Sequence, residues 1–430
     1  PNPHNKVHDL LKLYRYGNDI YPDVLIIEDN LNDAEIKSLY KQCDVLVCPS
    51  FAEGFNLTLA EAMELGIPTV TTGWGGQMDF CNSSNSWLID YQFEYAESHF
   101  NLFGSVWARP SFTHLSKIMN DIYDLSAEKK LYKVNLAKKS IAKYKWDIVA
   151  KENVDFIKNI TSLSKDNLSK IGWISTWDTR CGIATYSEHL LSERKNDYII
   201  FAQKVNKKNS LNVIRCWNIG NDELDELFNN IISNNISSIV IQFNYGFFDF
   251  TSFSNFIRKI KNHKINIIVC LHSTIDPKSD TTKKIKDLSQ ILSLCNRILV
   301  HSICDLNRLK NLGLVDNVLL FPHGILNSEN YLLKRYKYKN NKNKFYFSSY
   351  GFCLPNKGFP ELIKAIKILD EQDFQCHLTL YTALYDSEKS LQFYNALLSL
   401  IDQLDLVDLI DINSSFLSDE LTLKNLSKTD

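Results

Sequence analysis

Short apolar runs of strand length alternate with helical stretches along most of this chain. In the first part of the chain such runs fall at 23–29, 44–50, 68–74 and 86–92. Between the first two runs, residues 33–43 carry Ile36, Leu39 and Tyr40 on one helical face. Strands that are apolar on both faces and joined by helices are typical of parallel sheets covered on both sides. The pattern therefore predicts an α/β fold.

Polar residues and turn formers predict where several of these elements begin and end. Asn32 or Asp33 suits a helix N-cap, and Gly66 followed by Pro68 suits a helix stop. Two later helices, at about 113–124 and 127–144, have no strand between them and are expected to close this region.

The composition changes at residues 158–170, which are rich in Ser, Asn and Lys and are predicted to form a linker. Beyond the linker the alternation resumes. Strands are predicted at 170–176, 197–203, 212–217, 237–248, 265–274, 296–302 and 317–325, then at 344–352, 377–383 and 408–415. Helices are predicted at 282–294 and 359–369. A basic run at 334–344 is predicted to be a solvated connector, with weak contact to an anionic membrane surface left open.

Residues 23–44 and 408–430 align as an internal repeat. Each contains an apolar run, a polar bend, a Leu-x-Asp and a helical stretch ending at an Asp, so that Asp33 corresponds to Asp419. A repeat of this kind indicates two copies of one domain type. We expect the first copy to lack its start and the second its end.

Composition limits the functional classes. The 430 residues include 48 basic and 50 acidic side chains, which leave no overall field for nucleic acid. The ten cysteines form no C-x-x-C pair and several lie in apolar runs, so we expect reduced, buried thiols in a cytoplasmic protein rather than a disulfide framework or a zinc site. No apolar run reaches the roughly 18 residues that span a bilayer.

Two carboxylates flank a glycine bend after the strand that ends near Pro49. Glu53 lies in the bend, and Glu61 lies in the helix that follows it. Ligands bind at the carboxyl edge of parallel sheets, a glycine permits close approach of the backbone, and a helix N-terminus attracts phosphate. The two carboxylates could accept hydrogen bonds from two polyol rings. This combination suits a nucleotide sugar, although routine surface glutamates would show the same spacing.

The string EGFNLTLAEAM, preceded by LYKQCDVLVCPS and followed by GIPTV and WGGQMDF, resembles the nucleotide-binding C-terminal domain of family 4-like glycosyltransferases. That family has the GT-B fold, in which two Rossmann-like domains face each other. The resemblance implies that Glu53 holds the donor sugar and Glu61 the ribose. It also implies that Gly54, Phe55, Asn56 and Leu57 line the donor, and that Trp146 lies in the family's closing helix.

Two further strings resemble other parts of the same family. GWISTWDTRCGIATYSEHLL resembles the N-terminal domain, which implies that Gly182 approaches the donor phosphates and that His272 faces the transferred sugar; His323 and Gly324 are read as mostly structural. YGFCLPNKGFPELIKAI resembles the start of the C-terminal domain, which implies that Lys357, with Gly351 and Gly358, contacts the diphosphate. The family often has an arginine where this chain has Phe352.

The resemblance divides the chain into parts of two tandem glycosyltransferase units. The predicted parts are a donor domain at 1–157, the linker 158–170, an acceptor-side domain at 171–333, the connector 334–344 and half of a second donor domain at 345–430. We also hypothesise that 346–407 and 1–150 assemble one composite donor domain around Glu53 and Lys357.

The implied activity is a retaining, hexosyltransferase-type transfer from a nucleoside-diphosphate sugar to a glycan or lipid-linked acceptor. The implied setting is bacterial surface polysaccharide synthesis, in the cytoplasm or at the inner membrane face. The chain contains no Asp-x-Asp pair and no G-x-G-x-x-G, so we expect no metal requirement and no dinucleotide cofactor. A non-catalytic glycan-binding module and a nucleotide-sugar epimerase or hydrolase remain alternatives. The sugar, the nucleobase and the acceptor do not follow from the sequence.

Overall fold

The computed structural model divides the chain into two compact units, residues 1–167 and 168–430. The structure describes residues 11–12, 15, 21–27, 31–97, 104–145, 148–149, 151, 170–192, 198–206, 212–278, 280–321, 323–324, 344–384, 388–426 and 429. The predicted linker and basic connector, except Lys170 and Lys344, and the predicted closing-helix residue Trp146 lie outside these ranges.

The first unit contains a small parallel sheet flanked by helices. Its elements are α1 (Asp33–Lys41), β1 (Leu46–Cys48), α2 (Leu57–Leu65), β2 (Thr69–Thr72), β3 (Trp87–Ile89), β4 (Tyr91–Tyr95), β5 (Val106–Pro110), α3 (Phe112–Tyr123) and α4 (Ala127–Ile141). β2 pairs in parallel with both β1 and β3, and all four of its residues are buried. The predicted α/β class with parallel strands is therefore confirmed here.

Local hydrogen bonds explain the helix boundaries of the first unit. The Asn32 side chain accepts from the backbone N–H groups of Ala34 and Glu35, and the Glu35 carboxylate accepts from the Asn32 N–H, which forms a capping box. Gly66 ends α2 in the left-handed conformation, at φ 85°. The predicted cap and stop are thus both confirmed.

Two expectations for the first unit were wrong. Residues 21–27 form no strand, and Val24, Leu25 and Ile27 are exposed. The run predicted at 86–92 divides into β3 and β4, and β4 pairs antiparallel with β5. The alternating burial of Tyr91 and Phe93 is the period-2 signal that identifies β4 as a half-buried strand.

The second unit contains a seven-stranded sheet. Its elements are β6 (Ile171–Ser175), α5 (Gly182–Leu191), β7 (Tyr198–Gln203), β8 (Val213–Trp217), α6 (Asp225–Ser233), β9 (Ser238–Phe243), α7 (Phe250–Asn262), β10 (Asn266–Leu271), α8 (Ser289–Leu292), β11 (Arg297–Val300), α9 (Ile303–Asn311) and β12 (Val318–Leu320). The strand order is β12-β11-β10-β9-β6-β7-β8, with all pairs parallel. All seven strands had been predicted. The helix predicted at 282–294 is shorter, because Ile285–Leu288 form a 3₁₀ turn before α8.

The strand order reverses beside β6. The chain runs from β6 to β7 and β8 on one side, and then from β9 to β12 on the other. The carboxyl ends of β6 and β9 therefore flank a topological switch point, where ligands of open parallel sheets bind.

A second parallel sheet belongs to the same unit. Its elements are β13 (Phe345–Phe352), α10 (Phe359–Glu371), β14 (Cys376–Ala383), α11 (Glu388–Gln403), β15 (Ile410–Asn413) and α12 (Asp419–Leu426). The strand order is β13-β14-β15, and the sheet packs its buried Leu378 and Leu380 against Phe359 and Ile363 of α10. The repeat segment 408–430 forms both a strand, β15, and a helix, α12. The other repeat segment, 23–44, forms the helix α1 but no strand over 23–27.

Two further sequence expectations can be compared with the structure. All ten cysteines are free thiols, which agrees with the predicted lack of disulfides. In the part of the chain that the structure describes, no helix combines the length and the apolar character that a bilayer crossing requires.

The N-cap of α7 gives a test of local stability. The Asp249 carboxylate accepts from the N–H groups of Thr251 and Ser252, and these bonds, with Ser252 as the largest contributor, lower the pKa of Asp249. We expect Asp249→Ala to lower the free energy of unfolding by about 1 kcal/mol. Since the folded-state pKa is depressed, the loss should be full above the unfolded-state pKa and should fade as the pH falls through the folded-state pKa.

Denaturant unfolding at several pH values measures this effect. Thr251→Ala is the matched control, because Thr251 contributes its backbone N–H rather than its exposed side chain to the cap. Equal losses in the two variants, or a loss for Asp249→Ala that is independent of pH, would contradict the capping role.

Candidate functional site

A cavity of about 630 Å³ lies within the second unit, between the carboxyl edges of its two parallel sheets. One wall is formed by the first turns of α5 and by the chain after β12. The other wall is formed by the ends of β13 and β14 and by the residues after β15. Its lining residues are Gly182, Thr185, Tyr186, Glu188, His189, Leu190, His323, Gly324, Tyr350, Gly351, Phe352, Ala383, Phe416, Leu417, Ser418 and Asp419.

Glycines open this cavity at two places. Gly182 begins α5, and a Cβ added there would meet nothing within 4 Å. Gly351 has φ +157°, and a Cβ there would lie 3.7 Å from the Lys357 side-chain carbons Cδ and Cε. Lys357 therefore runs along the Gly351 backbone, and Gly358, at φ +73°, turns the chain from Lys357 into α10. The structure thus brings Gly182, Gly351 and Lys357 to one region of the second unit.

Phe352, at the position where the resembling family often has arginine, belongs to an aromatic stack. Its ring stacks on that of Phe416 with an interplanar angle of 29° and centroids 6.1 Å apart. The guanidinium of Arg180, in the loop between β6 and α5, lies 5.7 Å from the Phe416 ring centroid. A cation thus lies over the aromatic wall of the cavity, at a position that the sequence does not predict as a site residue.

His272 follows β10 and lies behind Tyr186. The two rings contact edge to face, with centroids 4.9 Å apart, and the His272 Nε2 lies 2.8 Å from Gln242 Oε1. Burial, with smaller contributions from His301 and His323, lowers the pKa of His272 to about 3. His272 is therefore neutral at neutral pH, and its ring contacts Tyr186, which lines the cavity.

A contact between His189 and Asp419 joins two walls of the cavity. His189 Nε2 on α5 lies 2.8 Å from Asp419 Oδ2 at the start of α12, and both side chains are partly exposed. Glu188 beside it adds a second carboxylate to the lining. Because His189 and Asp419 are 230 residues apart, no local sequence signal could have paired them.

In the first unit, backbone contacts hold the bend that contains Glu53 and Gly54. The Gly76 N–H donates to the Glu53 carbonyl at 2.9 Å, and the Ala108 N–H donates to the Phe51 carbonyl at 2.9 Å. A Cβ on Gly76 would lie only 1.8 Å from the Gly54 carbonyl oxygen, whereas Gly54 itself faces open space. The WGGQ turn therefore fixes the bend and leaves one side of Gly54 free.

The residues after Gly54 divide between core and surface. The Phe55 ring packs against those of Phe80 and Tyr144, at centroid distances of 5.0 and 5.3 Å. Asn56 adopts the left-handed conformation, and its Oδ1 accepts from the Leu59 N–H. Its buried Nδ2 has no hydrogen-bond partner within the described ranges. Leu57, the first residue of α2, is exposed. Asn56 thus offers a donor inside the bend.

The two predicted carboxylates are accessible to different degrees. Glu61 is exposed on α2, where its Oε2 accepts a long hydrogen bond of 3.5 Å from the Tyr40 hydroxyl. Burial, then the Glu61 carboxylate, raises the pKa of Tyr40. Glu53 is half-buried, and its charge adds to the burial that raises the pKa of Cys48 to about 11. Both carboxylates therefore lie near the bend, in the first unit.

The predicted site residues fall in both units. Glu53, Gly54, Phe55, Asn56, Leu57 and Glu61 belong to residues 1–167, and Gly182, His272, Gly351, Lys357 and Gly358 belong to residues 168–430. Their roles, the domain boundaries and the composite donor domain stay predictions. Four further residues at the cavity are not among the site residues that the sequence predicts, namely Arg180, Tyr186, His189 and Asp419. The position of Arg180 is a sequence signal that could have identified it. Arg180 lies in the loop after β6, two residues before Gly182, which begins α5.

The contact between Gly76 and Gly54 predicts a sharp difference between two glycine substitutions. Gly76→Ala must displace the Gly54 carbonyl, so we expect it to lower the free energy of unfolding of the first unit by about 2 kcal/mol or more. Gly54→Ala is the matched control: its Cβ would enter open space, and its φ lies outside the left-handed range, so it should be neutral or stabilising by up to about 1 kcal/mol. Thermal and denaturant unfolding measure both values, and similar losses would contradict the packing described.

Comparison with known proteins supports the sequence resemblance over one part of the chain. Residues 21–92 match the family model described as Glycosyl transferases group 1. An uncharacterized glycosyltransferase of Methanocaldococcus jannaschii is 31% identical over 134 residues. These residues are 30% of this chain and 28% of that protein, so the chain spans little more than a quarter of this relative.

Solved structures show a weaker likeness. The HepE protein of Anabaena in complex with UDP and glucose is 10% identical, with a TM-score of 0.46 over 61% of this chain and 73% of that one. Sucrose-phosphate synthase from Thermosynechococcus elongatus is 14% identical, with a TM-score of 0.46 over 61% of this chain and 74% of that one. These scores are too low to establish a shared fold, and the family match concerns residues 21–92, which contain Glu53 and Glu61.

Proposed function

We propose that this chain belongs to a glycosyltransferase that moves a sugar from a nucleoside-diphosphate sugar to a glycan or lipid-linked acceptor. The observation that carries the proposal is the cavity between the carboxyl edges of two parallel sheets, with Lys357 running along Gly351 at its wall. The match of residues 21–92 to group 1 glycosyl transferases supports it. The GT-B arrangement of domains and the tandem organisation are parts of the same proposal.

The diphosphate of the donor is proposed to bind where cations and free backbone N–H groups meet. Lys357 supplies an ammonium, and Arg180 over Phe416 supplies the guanidinium that Phe352 does not. The N-terminus of α5 at Gly182 adds unpaired N–H groups and the positive end of the helix dipole. As the sugar leaves, negative charge grows on the diphosphate, and these fixed groups stabilise it without proton transfer.

The bend of the first unit is proposed, by itself, to bind hydroxyl groups of a nucleotide sugar. Glu53, in the fixed bend, would accept from a sugar hydroxyl, and exposed Glu61 would accept from a ribose hydroxyl. The unpartnered Nδ2 of Asn56 supports a polar ligand at this bend, because a buried amide donor without a partner is costly. His272, neutral and fixed by Gln242, would donate or accept a hydrogen bond rather than carry charge.

Retention of the anomeric configuration follows from the family resemblance. In such a reaction the acceptor attacks on the face from which the diphosphate leaves, and the leaving diphosphate assists deprotonation of the acceptor hydroxyl. We therefore assign no protein base. A role in bacterial surface polysaccharide synthesis, a cytoplasmic location, weak peripheral membrane contact and independence of metal ions are parts of the proposal.

Nucleotide binding gives the first test. Titration calorimetry with UDP and with GDP should show that one of them binds, and Lys357→Ala should weaken that binding by about tenfold or more, since a hydrogen bond to a charged group contributes about 1.5–3 kcal/mol. The matched control is Lys364→Ala, an exposed lysine on α10, which should leave the affinity unchanged. Equal effects of the two substitutions would overturn the assignment of Lys357.

Arg180 gives an independent test of the second cation. Arg180→Ala should weaken nucleoside-diphosphate binding by about tenfold, and Arg180→Lys should recover only part of the loss, because lysine lacks the planar donor fork. Arg258→Ala, an exposed arginine on α7, is the control. Failure of both UDP and GDP to bind would contradict the proposal as a whole. Release of free sugar from a bound donor at a full catalytic rate without any acceptor would favour the hydrolase alternative.

A further inference from the structure

A cluster of soft metal ligands lies beneath the cavity. Cys270, at the end of β10, and His272 and His301 each offer one ligand atom, and the three atoms lie within 4.8 Å of one another. The Cys270 Sγ is 3.3 Å from the His301 Nε2. A thiolate and two imidazoles are a ligand set that zinc prefers.

Hydrogen bonds on the far side of each imidazole fix its orientation. The His301 Nδ1 lies 2.8 Å from the Phe321 carbonyl, which can only accept, so Nδ1 carries the proton and Nε2 keeps its lone pair toward Cys270. The His272 Nε2 donates to Gln242 Oε1 at 2.8 Å, which leaves the Nδ1 of His272 as the nitrogen that can bind a metal. A carbonyl oxygen behind each ring is the usual outer support of a metal-binding histidine.

The hydrogen bonds also suit a ligand role. Each imidazole donates through one nitrogen to an oxygen, so its other nitrogen keeps a lone pair. Without a metal the Cys270 thiol donates to the His301 Nε2. Binding of a dication replaces the S–H bond by a metal–sulfur bond and releases that proton to solvent.

The cluster lies directly beside the cavity lining. Tyr186 lines the cavity, and its ring contacts those of His272 and His301, with centroids 4.9 and 5.4 Å apart. His323, also in the lining and exposed, has its ring centroid 4.7 Å from that of His301. The fourth position of a tetrahedral ion is therefore left for water or for His323.

We propose that Cys270, His272 and His301 form a zinc site that inhibits the protein by occupying the His272 imidazole nitrogen that would otherwise hydrogen-bond to the donor sugar. Zinc binding rests on the cluster alone. Inhibition rests in addition on the proposed function, because it needs His272 to act in the donor site. The site is distinct from a catalytic metal centre, so it agrees with a transfer reaction that requires no metal.

Cobalt(II) is the spectroscopic probe for the binding step. Added to the full chain after treatment with a chelator, one equivalent should give a thiolate-to-cobalt charge-transfer band, and zinc should displace it. Cys270→Ser should abolish the band and weaken zinc binding by about 100-fold or more, since loss of an outer partner alone costs about 10–100-fold. His301→Asn should have the same effect, and thermal unfolding without metal shows whether each variant is folded.

Cys304→Ser is the matched control, because Cys304 is an exposed free thiol outside the cluster. It should keep both the band and the zinc affinity. Absence of a band in the unchanged chain, or a band that survives Cys270→Ser, would overturn the zinc site.

The inhibition is measured separately, by donor turnover with and without zinc. The unchanged chain should lose activity as zinc is added, and Cys270→Ser should keep its activity in the same zinc concentration. If the cobalt band behaves as expected but zinc leaves turnover unchanged, the inhibitory role is wrong while the metal site stands. If no turnover is seen in any condition, the proposed function fails, and the spectroscopic result still decides the metal site.

Discussion

Parallel pairing is the constraint on which the second unit depends, because it places the carboxyl ends of all strands at one edge of a sheet. β6 lies between β7 and β9, so the loop that carries Arg180 and Gly182 leaves the sheet at its switch point. His272 leaves the same edge after β10. In the smaller sheet, β13 delivers Gly351 and Phe352 in the same way. The cavity exists because these two edges face each other within one unit.

In the first unit the corresponding constraint is a backbone contact. The Gly76 N–H bonds to the Glu53 carbonyl, and the Gly76 Cα approaches Gly54 so closely that no side chain fits between them. This contact orders a bend of polar backbone without placing a side chain in it. Among the described residues, the Nδ2 of Asn56 beside this bend is buried and has no hydrogen-bond partner.

His272 takes part both in the proposed donor site, where it would support sugar transfer, and in the proposed zinc site, where it would inhibit transfer. His272 is neutral and fixed by Gln242, which suits a group that orients a sugar hydroxyl. The same neutral ring lies beside Cys270 and His301, where the proposed zinc site requires a neutral imidazole. The two proposals therefore make the same demand on His272, namely a neutral imidazole that a hydrogen bond holds in place.

The sequence by itself determined the α/β class and the seven strands of the large sheet, because strands that are buried on both faces need apolar residues throughout. It also determined the caps at Asn32 and Gly66, because a helix start needs a side-chain acceptor and a left-handed helix end favours glycine. The sequence also predicted a glycine bend at Gly54 and named Gly351 and Lys357 as candidate site residues. Only the tertiary structure decided that residues 21–27 form no strand, since a strand needs a hydrogen-bonded neighbour that no local pattern supplies. Likewise, the cation over Phe416 and the cluster at Cys270 join residues distant in sequence, and chain topology alone sets which of them meet.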